Sequence, residues 1–361
     1  MSNNNKYIVI ATGGTGGHIF PALGLANYLN SLGFNSVLTS DKRGVRFIDN
    51  STINKTKIIE GTSLNKKNFF SFLKVFNAIV KSIFFLITKR PKFIFGMGGY
   101  ASFPICFSAT ILRIPFIIYE NNILMGKANR YLTPFAKKIF VAYEDVEGIN
   151  QKYSNKTIVT GNILREKILN HMKVKEKNKY NDYINILVLG GSQAAKIFAE
   201  LLPSIFIRCK KNNMKIKILQ QCLTNQMDQI KDIYDKNEVD HKLFSFTFDI
   251  LEYYKSTNLV ITRAGSSALA ELLNCNIPII TVPLESSAEN HQYKNAQYFK
   301  KKGYAIMIEE RDLRDKLFDL LHSIHEDKSI INSIKQNQNK HTDKNVFDII
   351  NKEIKNLFYE N

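Results

Sequence analysis

The chain has 361 residues, 44% of them apolar, with 50 basic and 32 acidic side chains and a formal net charge of +18. That length is about two domains' worth, and the apolar fraction excludes wholesale disorder. Four cysteines, at 106, 209, 222 and 275, form no C-x-x-C pair, which argues against a disulfide scaffold or a zinc ribbon and for a reduced, cytoplasmic protein.

The charge invites a nucleic-acid reading, but lysine outnumbers arginine 40 to 10, whereas phosphate recognition by forks favours arginine. No nucleic-acid motif appears, so no nucleic-acid partner is expected. Residues 1–161 hold 20 basic and 7 acidic side chains, residues 162–361 hold 30 and 25. A basic half beside a near-neutral half implies that the first half faces an anionic surface.

In chain order, the polar segment Met1–Lys6 leads into a strand at Tyr7–Thr12 with no secretory signal pattern. Further strands are expected at Ser36–Ser40, Lys92–Phe95, Pro115–Tyr119, Lys138–Val141 and Thr157–Thr160. A second series follows at Ile184–Leu189, Lys215–Gln220, Leu243–Phe246, Leu259–Thr262, Ile279–Val282 and Ala305–Ile308. Many are Val/Ile-rich without alternation, as in parallel strands buried on both faces. Two βα series imply two doubly wound α/β domains. The boundary is expected near Gly161, ahead of a solvated insertion at Lys173–Asp182, and the terminal helix Val346–Phe358 is expected to dock on an existing sheet.

The most apolar stretch, Phe69–Thr88, is interrupted by Lys74 and Lys81, so no uncharged run reaches the roughly 20 residues of a membrane span. On a helical wheel Phe69, Phe72, Leu73, Phe76, Val80, Ile83 and Ile87 share a stripe, read as core-facing. Phe70, Lys74, Lys81 and Phe85 fall opposite. Exposed Phe beside Lys is expected of a helix lying on anionic lipid.

Glycine-rich turns close several strands. Gly13-Gly14-Thr15-Gly16-Gly17-His18 follows the first strand and Gly96-Met97-Gly98-Gly99-Tyr100-Ala101-Ser102 the third. Such turns let backbone N–H groups approach an anion, and two of them in one domain can converge on one diphosphate. Neither is a P-loop. Asp41 lies near the place of a ribose-binding acid, but neither domain carries the full dinucleotide fingerprint. The second domain has Gly190-Gly191-Ser192-Gln193-Ala194-Ala195 and Arg263-Ala264-Gly265-Ser266-Ser267-Ala268-Leu269-Ala270-Glu271, where Glu271 can accept bonds from ribose hydroxyls. The run Pro283–Gln292 places His291 and Gln292 at the same rim.

These runs, with Tyr119-Glu120-Asn121-Asn122, Gly161-Asn162-Ile163-Leu164-Arg165 and the Asn-His-Gln segment at 290–292, occur in an order that resembles one family. It is the N-acetylglucosaminyltransferase family of peptidoglycan synthesis, which acts on undecaprenyl-diphospho-N-acetylmuramoyl-pentapeptide. The resemblance implies a GT-B fold, two Rossmann-like domains facing across a cleft, here 1–161 plus 341–361 and 162–340. It implies UDP-N-acetylglucosamine as donor. Arg165, Ser192 and Gln193 would hold the donor diphosphate, and the Thr247 backbone the uracil. Ser266, Ser267 and Ala268 would approach the phosphates, Glu271 the ribose, and His291 and Gln292 the sugar. Asn122 and Thr15, Gly16 and Gly17 would reach the donor from the first domain. Gly13, Gly14, Gly98, Gly99, Tyr100 and Ser102 would receive the acceptor diphosphate.

His18 is the favoured general base, with Glu120 as competitor. Phe70, Lys74, Lys81 and Phe85 would touch the inner leaflet at the cytoplasmic face of the cell membrane. The chain has no D-x-D motif, so no metal or other cofactor is expected. It departs from the family at Tyr119 (usually His), Asn121 (Gln), Ile163 (Pro), Ala194 (Gly) and Ala268 (a hydroxyl residue). The rival readings are another GT-B enzyme on UDP-sugars, either a lipid glycosyltransferase or a 2-epimerase, and a basic membrane-surface or nucleic-acid-binding protein.

Overall fold

The computed structural model describes residues 6–49, 52, 56–61, 69–173, 183–191 and 196–358, without the side chains of 69, 70, 172, 173 and 358. The chain divides into two compact units, Met1–Glu166 with Asp343–Asn361, and Lys167–Thr342. The insertion read at 173–182 lies almost wholly outside the described residues.

The first unit holds seven strands: β1 (Tyr7–Ala11), β2 (Asn35–Ser40), β3 (Thr56–Ile58), β4 (Phe93–Gly96), β5 (Phe116–Glu120), β6 (Lys138–Val141) and β7 (Thr157–Val159). They pair in parallel in the order β3-β2-β1-β4-β5-β6-β7. The second holds six: β8 (Ile184–Leu189), β9 (Ile216–Gln221), β10 (His241–Phe244), β11 (Leu259–Thr262), β12 (Ile279–Thr281) and β13 (Ala305–Met307). Their order is β10-β9-β8-β11-β12-β13, again parallel. This is the two-unit GT-B type of architecture. β4, β5 and β11 are buried along their whole length, which explains their unbroken apolar sequences. Among the described residues, only β3 escaped the sequence reading. It is a three-residue edge strand with Lys57 and Ile58 exposed, so it carries no buried-strand signal.

In a doubly wound sheet the ligand crevice opens where the strand order reverses, at the carboxyl ends. The reversals lie between β1 and β4 and between β8 and β11. Ala11 pairs with Gly96 and Leu189 with Thr262, so each glycine-rich turn begins beside its partner.

The terminal helix Val346–Phe358 docks on the first unit. Phe347 stacks on Tyr28 with ring centroids 4.3 Å apart, Ile350 and Ile354 are buried, and Glu353 meets Lys138 at 3.4 Å. Ahead of the helix, the buried Asp343 accepts from the Asn162 backbone N–H at 2.9 Å and the Asn162 side-chain amide at 3.1 Å.

The helix Phe69–Lys89 turns the opposite way from the sequence expectation. Ser71, Val75, Ala78, Ser82, Phe85 and Leu86 are buried, whereas Phe72, Leu73, Phe76, Phe84 and Ile87 are exposed. Phe85 is therefore a core residue and not a lipid contact, and the Phe70 side chain lies outside the described residues. Lys74 and Lys81 are exposed as expected. The cause is steric: Ser71, Ala78 and Ser82 form the narrow face that allows close approach to the helix Ser102–Ile111, where Ser108 Oγ donates to the Ile79 carbonyl at 3.1 Å. At 100° per residue the exposed apolar side chains cover an arc of roughly 120°.

Candidate active site

The two glycine turns of the first unit are in contact. A Cβ on Gly13 would collide with the Ala101 Cβ and lie 2.9 Å from Asp41 Oδ1. Gly98 and Gly99, at φ +83° and +76°, adopt a backbone open to glycine. A Cβ on either would come within 3.2 Å of the His18 ring, at Cε1 or Cδ2 respectively. The half-buried His18 imidazole thus lies along the Gly98–Gly99 backbone.

The helix Gly16–Ser31 begins in the first turn and contains Pro21. Proline has no N–H to offer the carbonyl four residues back, here that of Gly17. The Asn121 amide, from the end of β5, donates to that carbonyl at 2.8 Å.

Glu120 organises the turn after β5. Its Oε1 accepts from the Asn122 backbone N–H at 3.0 Å and the Asn122 amide at 2.9 Å. Its Oε2 accepts from Gly126 N–H at 3.0 Å and the Asn129 amide at 2.9 Å. The carboxylate is 2% exposed. Both oxygens are committed to the turn, so Glu120 organises the fold here, beside its reading as a competing base. The Asn122 amide likewise points at Glu120.

Two acceptor-side residues are likewise engaged within the protein. Ser102 is fully buried, with Oγ donating to the Gly99 carbonyl at 2.9 Å. The Gly14 N–H donates to Asp41 Oδ1 at 2.8 Å, an acceptor within the protein. Tyr100 and Thr15 are exposed at the rim, and Gly16 and Gly17 open the helix.

Tyr119 and Ile163 explain each other. The Tyr119 hydroxyl accepts from the Ile163 N–H at 3.0 Å and donates to the Gly161 carbonyl at 3.2 Å. A proline at 163 would lack that N–H. The phenol is buried and burial pushes its pKa up, so it is a structural latch without acid–base work. Two residues on, the Arg165 guanidinium lies 4.6 Å from the Phe20 ring centroid.

In the second unit Ser192 and Gln193, with Ala194, lie outside the described residues. Gly265 caps the helix Ser266–Asn274, in which Ser266 is buried and Ser267 and Ala268 are half-buried. Glu271 is 5% exposed and accepts from the Tyr254 hydroxyl at 3.3 Å. Thr247 Oγ1 accepts from Asp249 N–H at 3.1 Å, and its sequence neighbours Phe246 and Phe248 are exposed with their rings edge to face. His291 Nδ1 is 2.6 Å from the Ala288 carbonyl. A carbonyl only accepts, so Nδ1 is the donor in that bond. Gln292 Oε1 accepts from Leu284 N–H at 3.0 Å.

Sequence reasoning gave no role to Arg263 or Asn129. Arg263, 7% exposed, pairs with Glu310 and donates to the carbonyls of Val282 and Pro283 at 3.3 and 3.4 Å, tying together the ends of three strands. Asn129 joins Glu120 to the Tyr119 carbonyl. Arg263 carried a signal, a charged residue between an apolar run and a Gly-Ser turn, whereas Asn129, between Lys127 and Arg130, carried none.

Glu120→Gln replaces one acceptor oxygen with an NH2 facing two donors. The expected result is loss of about 1–3 kcal/mol in denaturant unfolding of the first unit, with activity falling in parallel. Unchanged stability with abolished turnover would instead favour Glu120 as the base.

Known proteins agree with this geometry. Residues 8–141 match the glycosyltransferase family 28 N-terminal domain and residues 185–350 the family 28 C-terminal domain. A Rickettsia felis protein is 38% identical over 332 residues, covering 88% of this chain and 91% of its own. A Pelagibacter ubique protein is 33% identical over 361 residues, covering 99% and 100%. Both are named UDP-N-acetylglucosamine–N-acetylmuramyl-(pentapeptide) pyrophosphoryl-undecaprenol N-acetylglucosamine transferase. The crystal structure of Acinetobacter baumannii MurG superposes with a TM-score of 0.74 at 22% identity, over 96% of this chain and 99% of that one, a likeness of fold. With both halves matched and relatives aligned along nearly their whole length, the chain belongs to glycosyltransferase family 28.

Proposed function

We propose that the chain transfers N-acetylglucosamine from UDP-N-acetylglucosamine to the 4-hydroxyl of undecaprenyl-diphospho-N-acetylmuramoyl-pentapeptide, with inversion. The observation that carries this is the near-full-length match to relatives named for that transfer. The acceptor oxygen attacks the anomeric carbon, the carbon–oxygen bond to UDP breaks, and the hydroxyl proton passes to His18. Charge develops on departing UDP, and preorganised N–H groups at a helix terminus are suited to meet it. In the second unit that role falls to the start of the Ser266–Asn274 helix. Glu271 takes ribose hydroxyls, the Thr247 backbone the uracil, and the His291 Nε2 and the Gln292 amide the sugar. The glycine turns of the first unit take the acceptor diphosphate.

We place the protein at the cytoplasmic face of the membrane. The support is the exposed arc of Phe72, Leu73, Phe76, Phe84 and Ile87, flanked by Lys74 and Lys81 on a basic unit. Apolar rings enter the headgroup layer, and each lysine near an anionic leaflet adds about 1 kcal/mol.

A transfer assay with radiolabelled UDP-N-acetylglucosamine and a short-chain lipid-linked muramoyl-pentapeptide, run in EDTA, tests the reaction. Label is expected in the lipid, and His18→Ala is expected to lower kcat about 10²-fold or more. UDP release without labelled lipid would refute the acceptor, and a wild-type rate in His18→Ala would remove the base. For the membrane, Phe72→Ser/Phe76→Ser/Phe84→Ser is expected to stop flotation with anionic vesicles while leaving stability intact. Unchanged flotation would refute this surface.

A further inference from the structure

The Asp41 carboxylate, 1% exposed, sits beneath the first glycine turn. Oδ1 accepts from the N–H groups of Gly14 at 2.8 Å and Gly44 at 2.9 Å. Oδ2 accepts from Arg43, from Nε at 2.9 Å and from Nη2 at 2.9 Å. One buried anion thus fixes both the turn and a guanidinium two hydrogen bonds away from the Gly14 amide. The packing allows little slack, since a Cβ on Gly44 would lie 3.1 Å from the Gly13 Cα and 2.8 Å from Ile19 Cδ1.

This arrangement poses an electrostatic problem for a turn that takes a diphosphate. The Gly14 amide is spent, and a carboxylate lies under the anion's seat, where like charges repel. Arg43 answers both points. A guanidinium has five N–H bonds, of which two point at Asp41. The others have no protein partner among the described residues, and the side chain is 63% exposed. The Asp41 contact holds the fork in one orientation before the ligand arrives, which lowers the ordering cost of binding.

We propose that Arg43 is a recognition residue for the diphosphate of the lipid-linked acceptor, with Asp41 as the positioning residue that orients it. The proposal rests on the reading of the first unit as the acceptor unit. Arg43 donates to the phosphate oxygens in the manner suited to a planar fork, and it replaces the Gly14 amide as the donor at that edge.

The test measures KM separately for a short-chain lipid-linked acceptor and for UDP-N-acetylglucosamine. Arg43→Ala is expected to raise the acceptor KM about tenfold or more and leave the donor KM within about twofold. Arg43→Lys is expected to fall between, keeping charge without the fork. The double variant Asp41→Asn/Arg43→Gln removes the buried charge and its partner together. Its acceptor KM is expected to stay raised. Return to the wild-type value would show that Arg43 only neutralises Asp41 and would overturn the proposal, as would an unchanged acceptor KM in Arg43→Ala. A wild-type protein that labels no lipid would instead refute the reading of function on which the proposal rests.

Discussion

The first unit depends on buried carboxylates that accept backbone N–H groups at its turns. Asp41 holds Gly14 and Gly44, Glu120 holds Asn122 and Gly126, and Asp343 holds Asn162. A rim that receives an anion must bring backbone close to it, and side chains are in the way. Such a rim has little apolar surface of its own to fix its shape. Hydrogen bonds to ionised groups are stronger than neutral ones, so a carboxylate set beneath the rim supplies the rigidity that packing does not.

The second unit solves the same problem with the opposite charge. There the Arg263 guanidinium reaches the carbonyls of Val282 and Pro283 and the Glu310 carboxylate. Asn295 adds a bond to the Ala264 carbonyl at 3.1 Å. Asp41, Asp343 and Arg263 each join segments that are distant in sequence. Removing such a group exposes several donors or acceptors at once, so substitutions at Glu120 or Arg263 act on the shape of the site before they act on chemistry.

Much of this was legible in the sequence, because parallel strands buried on both faces leave unbroken apolar runs and strand-closing turns leave glycines. Among the described residues, twelve of the thirteen strands follow from those signals. The orientation of the helix Phe69–Lys89 did not, because nearly every position is apolar. What decides it is size: Ser71, Ala78 and Ser82 mark the packed face, and a hydrophobic wheel does not weigh size. The state of Glu120 and Ser102 was hidden for a related reason, since a polar residue beside a glycine turn looks the same whether it faces ligand or backbone. The departures at Tyr119 and Ile163 become intelligible only together, as a hydroxyl and the N–H it accepts from.

The division of labour between the units is the central claim, and hydrogen–deuterium exchange measures it directly. Exchange would be followed on the full chain with UDP alone and with a short-chain lipid-linked acceptor alone. UDP is expected to protect the segments 263–271 and 283–292, and the acceptor to protect 13–18 and 96–101. Protection of the first unit's glycine turns by UDP, or of neither turn by the acceptor, would contradict the account.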